Sequence, residues 1–450
     1  MNQLMNGLIF TNLWKKGILY LKDKYLQGGQ AMQKAYYELL KKYAKMMTEQ
    51  DYPVGEAARL LIGTSDGVFA TRDGADLSDL KAEDVEKLPV EHLPMSRKGM
   101  SSMVFSQTPY CQKCLADARP FRASVDDMAQ IIGPAVYITG GRSADTKAGK
   151  SMVKAFKNST GAFVLRSVDK DGKGIGYTVT VGRTPYEAVV GMTVLEKSAE
   201  ITALADKIGG AKELNRLDAH LMHKIYQKKY SKAEAGVKKK EVTPGKAEQP
   251  VQVSASEKAE DKPESLERKL REKLCEYGKK LVETGLVQGT WGNLSVRLDD
   301  KYMLVTPSGL DYTRLTPADM VKVNIETLEY EGSLKPTSEK GLHAEVYKQR
   351  PDSGAVIHTH SKYCCVFAAA EKDLPIEDAE MQKIFGKQVK LAEYALPGTK
   401  KLMTNTVKAL GQNFGCIMSH HGMAACGADI ETAFDYCVKL EECGRIALGM

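Results

Sequence analysis

The stretch Ala355-Val356-Ile357-His358-Thr359-His360-Ser361 joins an apolar run to two histidines spaced two residues apart. Side chains alternate between the two faces of a β-strand, so a strand here places His358 and His360 on the same face. Two imidazoles held together on one strand are half of a tetrahedral zinc site. A lone pair of this kind is as often an ordinary surface or core feature, so its meaning depends on the rest of the chain.

Further candidate ligands lie on both sides of this pair. A second apolar run, residues 416–419, leads to the adjacent histidines His420 and His421, and the turn-like residues 336–339 supply a carboxylate upstream. Five of the eight histidines lie between residues 343 and 421. Three imidazoles and a nearby acid are the composition of a catalytic zinc site that keeps one coordination position open.

The C-terminal part, residues 266–450, resembles the class II aldolase/adducin family through six motifs in the family's order. They are GTWGNLS (289–295), TPSG (306–309), PTSE (336–339), HTHS (358–361), YALPGT (394–399) and HHGM (420–423). The resemblance implies a zinc-dependent sugar-phosphate aldolase. It also implies an α/β fold, namely an α/β/α sandwich around a mainly antiparallel sheet.

The resemblance assigns roles to particular residues. Strand alternation lets only one of His420 and His421 face a metal, and the family motif places the ligand before the glycine. The implied metal ligands are therefore His358, His360 and His421. The implied catalytic residues are Glu339 as acid/base and Tyr394 as a proton donor to a neighbouring subunit's site. The implied phosphate-binding residues are Asn293, Ser308, Gly309, Thr337 and Ser338.

Several of these assignments have alternatives. Tyr394 has the competing interpretation of a core tyrosine, and His343 is expected to pack on a helix face rather than to bind metal. His420 is expected to lie beside the site or at the surface. Epimerases of the family carry aspartate at the position of Glu339, so the glutamate favours an aldolase.

Composition narrows the class of protein. The 450 residues predict two or three domains, and 43% hydrophobic with 27% charged residues is typical of globular proteins. No apolar run approaches the length of a membrane span, and a signal-peptide cleavage site is missing. Nine cysteines without a framework spacing favour thiols in a cytoplasm. The net charge of +7 comes with no nucleic-acid-binding motif, so neither nucleic acid nor membrane is an expected partner.

The chain divides at residues 228–265, which are rich in Lys, Glu, Ala, Pro and Ser and predict a disordered linker. The flanking segments, 1–227 and 266–450, are similar to each other. VFATRDGADLSDLKAEDVEK (68–87) aligns without a gap with MLVTPSGLDYTRLTPADMVK (303–322). We therefore predict two tandem class II aldolase-like α/β/α sandwich domains.

The first copy lacks the metal chemistry. After a gap, a second register of the alignment places Phe105, Gln107 and approximately Gly176 at the three ligand positions, and the position of the acid holds Arg97 if PMSRKG (94–99) is set against PTSEKG (336–341). Phenylalanine has no lone pair to donate, and an arginine repels a dication. We predict one Zn²⁺ per chain, in the C-terminal domain, and a degenerate N-terminal domain.

The predicted function is a cytoplasmic, metal-dependent, homo-oligomeric aldolase. It cleaves a phosphorylated ketose, the small-molecule sugar substrate, to dihydroxyacetone phosphate and an aldehyde. A dehydratase, epimerase or decarboxylase on the same scaffold is one alternative. An adducin-like scaffold without activity is another, and the intact set of three histidines and a glutamate argues against it.

Overall fold

The structure, a computed structural model, describes residues 29–64, 67–88, 100–117, 120–140, 155–156, 158–168, 174–237, 263–288 and 291–450. The chain falls into two compact units. The first unit comprises Met1–Ala203 and Glu213–Lys224, and the second comprises Leu204–Lys212 and Ile225–Met450. None of the helices in the described ranges is long and apolar enough to cross a membrane.

The described helices before the second unit's main sheet are α1 (Gly29–Thr48), α2 (Pro109–Ala116), α3 (Pro185–Ala205) and α4 (Arg216–Val237), with a π-helical turn at Met128–Ile132. The strands are β1 (Arg59–Gly63), β2 (Val68–Thr71), β3 (Val85–Leu88), β4 (Ser102–Ser106), β5 (Phe121–Arg122), β6 (Ala135–Gly140), β7 (Gly161–Val168) and β8 (Gly174–Gly182). They form one sheet in the order β3-β2-β1-β4-β8-β7-β6-β5. Its described pairings are antiparallel except β6–β7, which is parallel.

The remaining described helices are α5 (Pro263–Glu283), α6 (Lys340–Gln349), α7 (Lys362–Ala370), α8 (Ala379–Phe385), α9 (Lys400–Leu410) and α10 (Ile430–Ala447). The strands are β9 (Gly292–Arg297), β10 (Tyr302–Val305), β11 (Val321–Asn324), β12 (Ala355–Thr359), β13 (Leu374–Pro375), β14 (Gln388–Val389), β15 (Leu391–Ala392), β16 (Gly415–Met418) and β17 (Gly422–Gly427). Seven of them form a sheet in the order β11-β10-β9-β12-β17-β16-β15, and β13 pairs with β14. The β15–β16 pair is parallel, and the other described pairs are antiparallel.

The second sheet is covered on both faces. Aliphatic side chains of α6 and α9 are buried against β10 and β11 in one hydrophobic core. The neighbouring residues Val356 and Ile357 point to opposite faces of β12, and both are fully buried. The helices α5, α7 and α10 also pack on this sheet. The predicted α/β/α arrangement around a mainly antiparallel sheet is therefore confirmed.

The two sheets share their topology. The order β3-β2-β1-β4-β8-β7-β6 of the first sheet repeats as β11-β10-β9-β12-β17-β16-β15 in the second. The register repeats as well, since Phe105 lies opposite Arg59 where His358 lies opposite Asn293.

A helix cap repeats with the topology. In each unit, one carboxylate accepts hydrogen bonds from two backbone N–H groups in the first turn of the helix that follows the central strand. The bonds run from Tyr110 and Cys111 to Glu196 (2.7 and 2.8 Å) and from Tyr363 and Cys364 to Glu441 (2.7 and 3.0 Å). The two units are therefore built on one structural plan.

The predicted linker, residues 228–265, needs a correction at both ends. Helix α4 continues to Val237, and α5 begins at Pro263. Lysine, alanine and glutamate are good helix formers, so a segment poor in large apolar residues can still extend a helix. Residues 238–262 lie outside the described residues, as does Arg97.

Candidate active site

Strand β12 and the turn between β16 and β17 bring three histidines together. His358 lies on β12, His360 directly follows it, and His421 directly precedes β17. Their ligand nitrogens all lie within 4.8 Å of one another. Each side chain is buried, with at most 6% of its residue surface exposed. The three predicted metal ligands thus form one buried cluster, which we call the histidine triad.

The two adjacent histidines lie in the turn Met418–His421, which directs their side chains to different partners. The backbone N–H of His421 donates to the Met418 carbonyl at 2.9 Å, and His420 has a left-handed backbone with φ of 61°. His421 joins the triad, whereas the Nε2 of His420 lies 3.3 Å from a carboxylate oxygen of Glu371. His420 is buried, so its place is beside the site and not at the surface.

The chemistry of His358 fits a bound cation. Its Nδ1 lies 2.7 Å from the Met423 carbonyl, which can only accept, so Nδ1 carries the proton and Nε2 carries a lone pair. Burial lowers the pKa of His358 to about 3, which keeps the ring neutral. Its Nε2 lies 3.3 Å from a carboxylate oxygen of Glu339. Two acceptors at this distance repel each other, and the positive charge of an ion held by the triad would offset this repulsion.

Glu339 is the acid of the site, and it directly precedes α6. One carboxylate oxygen lies 2.9 Å from Nε2 of His421, and the other accepts a hydrogen bond from the Asn293 amide at 2.8 Å. Burial disfavours the ionised carboxylate. The hydrogen bonds that His421 and Asn293 donate favour it, outweigh the effect of burial, and hold the pKa of Glu339 well below its usual range. The site therefore presents an ionised base beside the triad.

The predicted phosphate-binding residues lie in two adjacent loops and on β9. The loops meet at the Pro307–Pro336 bridge, and the backbone N–H of Ser308 donates to the Lys335 carbonyl at 2.9 Å. Ser308 can therefore offer a ligand its hydroxyl rather than this N–H. The remaining three positions differ in exposure: Gly309 and Ser338 are exposed, whereas Thr337 is buried.

Tyr394 contacts His420, the sequence neighbour of the triad residue His421. It is partly buried, and its ring packs edge-on against the ring of His420 with centroids 5.4 Å apart.

Sequence reasoning missed three buried polar residues behind Glu339. These are Ser295, His343 and Tyr347, which are linked to one another by hydrogen bonds. His343 was expected only to pack on a helix face. The available signal was spacing, because Asn293 and Ser295 are two residues apart on a strand and His343 and Tyr347 are four apart on a helix. Polar side chains at such spacing on buried faces need partners.

The first unit holds different side chains at the equivalent positions. Counting from the registers of β8 and β17, Gly176 stands where His421 stands. The amide of Gln107 donates to the Gly176 carbonyl at 3.1 Å, and the ring of Phe105 packs against Tyr177. A Cβ atom at Gly176 would lie 1.9 Å from the Val164 carbonyl oxygen, so no side chain fits there.

Three buried imidazoles beside an ionised carboxylate are the composition of a metal-assisted catalytic centre. Comparison with known proteins gives the lineage. Residues 272–448 match the family described as "Class II Aldolase and Adducin N-terminal domain". The chain belongs to the class II aldolase/adducin family, on the strength of this match and of the relatives described next.

The 5-methylthioribulose-1-phosphate/5-deoxyribulose-1-phosphate aldolase of Rhodospirillum rubrum is 36% identical over 173 residues, which are 38% of this chain and 77% of the relative. The L-fuculose phosphate aldolase of Escherichia coli K12 is 32% identical over 180 residues, 40% of this chain and 83% of the relative. A solved L-fuculose 1-phosphate aldolase is 37% identical and covers 40% of this chain and 84% of its own, with a TM-score of 0.38.

Proposed function

We propose that this chain is a zinc-dependent aldolase that cleaves a phosphorylated ketose to dihydroxyacetone phosphate and an aldehyde. The single observation that carries the proposal is the burial of the ionised Glu339 carboxylate against the histidine triad. The aldolases named among the relatives act on sugar phosphates, which supports the substrate class.

His358, His360 and His421 would hold the ion. Zinc is favoured because three neutral imidazoles are a common catalytic zinc ligand set. The ion would supply positive charge that stabilises the negative charge developing on substrate oxygens. The buried position of the triad limits competition from water.

Glu339 would move the proton. In the cleavage direction, a substrate hydroxyl gives its proton to the carboxylate, the carbon–carbon bond breaks, and the hydroxyl carbon becomes the aldehyde. The electron pair of the broken bond is left on the dihydroxyacetone phosphate fragment, which takes up a proton to complete the reaction. Glu339 is ionised at neutral pH, which is the state in which its carboxylate can accept that proton.

Ser308, Gly309, Thr337 and Ser338 would bind the phosphate, together with Asn293. The two loops that carry the first four meet beside β10, and loop hydroxyls and backbone N–H groups form anion sites. The amide of Asn293 has a second hydrogen beyond the one donated to Glu339. This set would hold the phosphate while the reacting carbons lie at Glu339.

We also propose that Tyr394 donates the final proton, from a second copy of the chain, and that the active form is a cytoplasmic homo-oligomer. All nine cysteines lie in the described residues as thiols, as a reducing compartment requires. Light scattering on the active protein checks the assembly, and an active monodisperse monomer contradicts it.

The first unit is proposed to be a degenerate copy, since residues 105, 107 and 176 provide no ligand set.

The test is cleavage of phosphorylated ketoses by the full chain, followed through release of dihydroxyacetone phosphate. Glu339→Gln should keep the metal and lower kcat by about two to four orders of magnitude, the size of general acid–base catalysis. Glu345→Gln is the matched control, because Glu345 lies on α6 and bonds only locally to Gln349. Near-normal turnover in Glu339→Gln would falsify the role of this residue.

A further inference from the structure

A continuous set of hydrogen bonds ends at Glu339, on the carboxylate oxygen that also lies 3.3 Å from Nε2 of His358. Its members come from β9 and α6, and each is at most 7% exposed. In order, Tyr347 OH lies 2.7 Å from Ser295 Oγ, Ser295 Oγ lies 2.6 Å from His343 Nδ1, His343 Nε2 contacts Asn293 Oδ1, and Asn293 Nδ2 lies 2.8 Å from Glu339 Oε2. We call this set the relay.

The positions of the protons in the relay follow from the Glu339 carboxylate, the group at its end. An ionised carboxylate can only accept, so the Asn293 amide must direct its NH₂ group to Glu339 and its oxygen to His343. His343 then carries its proton on Nε2 and accepts at Nδ1. The Ser295 hydroxyl donates to that Nδ1, and the Tyr347 hydroxyl donates to Ser295. Every member therefore has one defined orientation.

The relay ties together the two elements that carry the site. Asn293 and Ser295 share one face of β9, and His343 and Tyr347 share one face of α6. Glu339 occupies the N-cap position of α6, and Asn293 is the direct register partner of His358 on β12. A movement of any side chain in the relay therefore changes the position of the Glu339 carboxylate beside the triad.

The first unit offers a natural comparison. Its register places Arg59 where Asn293 stands and Leu61 where Ser295 stands. Arg59 donates to the Thr71 carbonyl at 2.8 Å and pairs with Glu86 at 2.7 Å. These two relay positions and the three triad positions are thus changed together, although strand order and register are kept. The two relay positions therefore vary with the triad residues and not with the strand topology that both units share.

We propose that His343, Ser295 and Tyr347 are positioning residues that fix the Asn293 amide and, through it, the orientation of the Glu339 carboxylate for proton transfer. The proposal rests on the proposed function in taking Glu339 as the acid/base. The relay itself does not depend on which sugar phosphate is cleaved.

The test compares Ser295→Ala, His343→Phe and Tyr347→Phe in the full chain. Thr406→Val is the matched control, because Thr406 is a buried hydroxyl of the same unit that bonds only to the Leu402 carbonyl within α9. We expect kcat to fall about 10- to 100-fold in Ser295→Ala and His343→Phe, the usual size for partners that orient a catalytic group. Tyr347→Phe, at the far end, should lose less. KM and one metal per chain should be kept in all of them.

Nitrogen NMR of the full chain, isotopically labelled at histidine and asparagine, reports on the relay and does not depend on catalytic activity. The signals of His343 are identified by their loss in His343→Phe, and those of the Asn293 side chain by their loss in Asn293→Ala. His343 should show its proton on Nε2. Both the His343 ring and the Asn293 amide signals should shift in Ser295→Ala and stay in place in Thr406→Val.

The outcomes separate this proposal from the proposed function. A His343 proton on Nδ1, an Asn293 amide unmoved by Ser295→Ala, or an unchanged kcat in Ser295→Ala and His343→Phe overturns the relay. Loss of metal in step with kcat assigns these residues to metal retention and also overturns it. A wild-type chain that cleaves no phosphorylated ketose contradicts the proposed function, and the NMR shifts then still decide the relay.

Discussion

At the scale of single residues, His420 sets the direction of its neighbour. Its φ of 61° lies in the left-handed region, which asparagine tolerates and β-branched residues strongly disfavour. We expect His420→Val to be less stable than His420→Asn by about 1–2 kcal/mol. Both variants lose the contact with Glu371, so their difference isolates the backbone.

Thermal unfolding and elemental analysis check this expectation. His420→Asn should retain the metal, because the turn still directs His421 into the triad. His420→Val should bind it more weakly. Equal melting temperatures and equal metal content in the two variants would show that the turn does not depend on residue 420.

His343 also links stability to pH. Burial lowers its pKa to about 4, against about 6.5 in an unfolded chain. Between these values the unfolded chain binds the extra proton, so stability falls as pH is lowered from about 7 toward 4, by at most about 3 kcal/mol. His343→Phe should remove this part of the pH dependence. Melting curves at pH 7 and pH 5 measure it, with Thr406→Val expected to keep the wild-type slope.

At the scale of elements, the first turn of α7 depends on one distant carboxylate. Glu441 accepts from the N–H groups of Tyr363 and Cys364, directly after the segment that carries His360. Removing it in Glu441→Ala leaves two N–H groups without this acceptor, which costs about 1–3 kcal/mol. We expect the metal to be bound more weakly as well.

The first unit supplies the control for that change. Glu196→Ala removes the equivalent cap from α2 and should destabilise its own unit by a similar amount. The metal content of the chain should remain unchanged. An equal loss of metal in both variants would contradict the assignment of the site to the second unit.

Periodicity predicted the elements with the clearest patterns. The alternation at residues 355–361 predicts a strand with His358 and His360 on one face, and β12 covers Ala355–Thr359 with His360 directly after it. Strand β17 has no comparable sequence signal, because glycine, alanine and methionine dominate it and carry little strand preference. The histidine pair followed from local alternation. The contact of Glu339 with His421 joins residues 82 positions apart, and no local pattern reports such a contact.

At the scale of the whole molecule, the proposed function predicts one tight zinc per chain. Elemental analysis of the full chain should show one, and none in the double variant His358→Ala with His360→Ala. Gln107→Ala, the matching change in the first unit, should keep the full amount. Two metals per chain, or metal that survives the double variant, would show that the first unit binds an ion.

At Gly176 the backbone of β7 approaches so closely that no side chain can be added. Substitutions can place histidines at Phe105 and Gln107, but a third imidazole cannot follow at residue 176, because the Val164 carbonyl occupies the space of its first carbon atom. Strands β7 and β8 would have to move apart before residue 176 could carry a side chain. If the first unit is the degenerate copy proposed above, single substitutions cannot restore a second reaction centre in it.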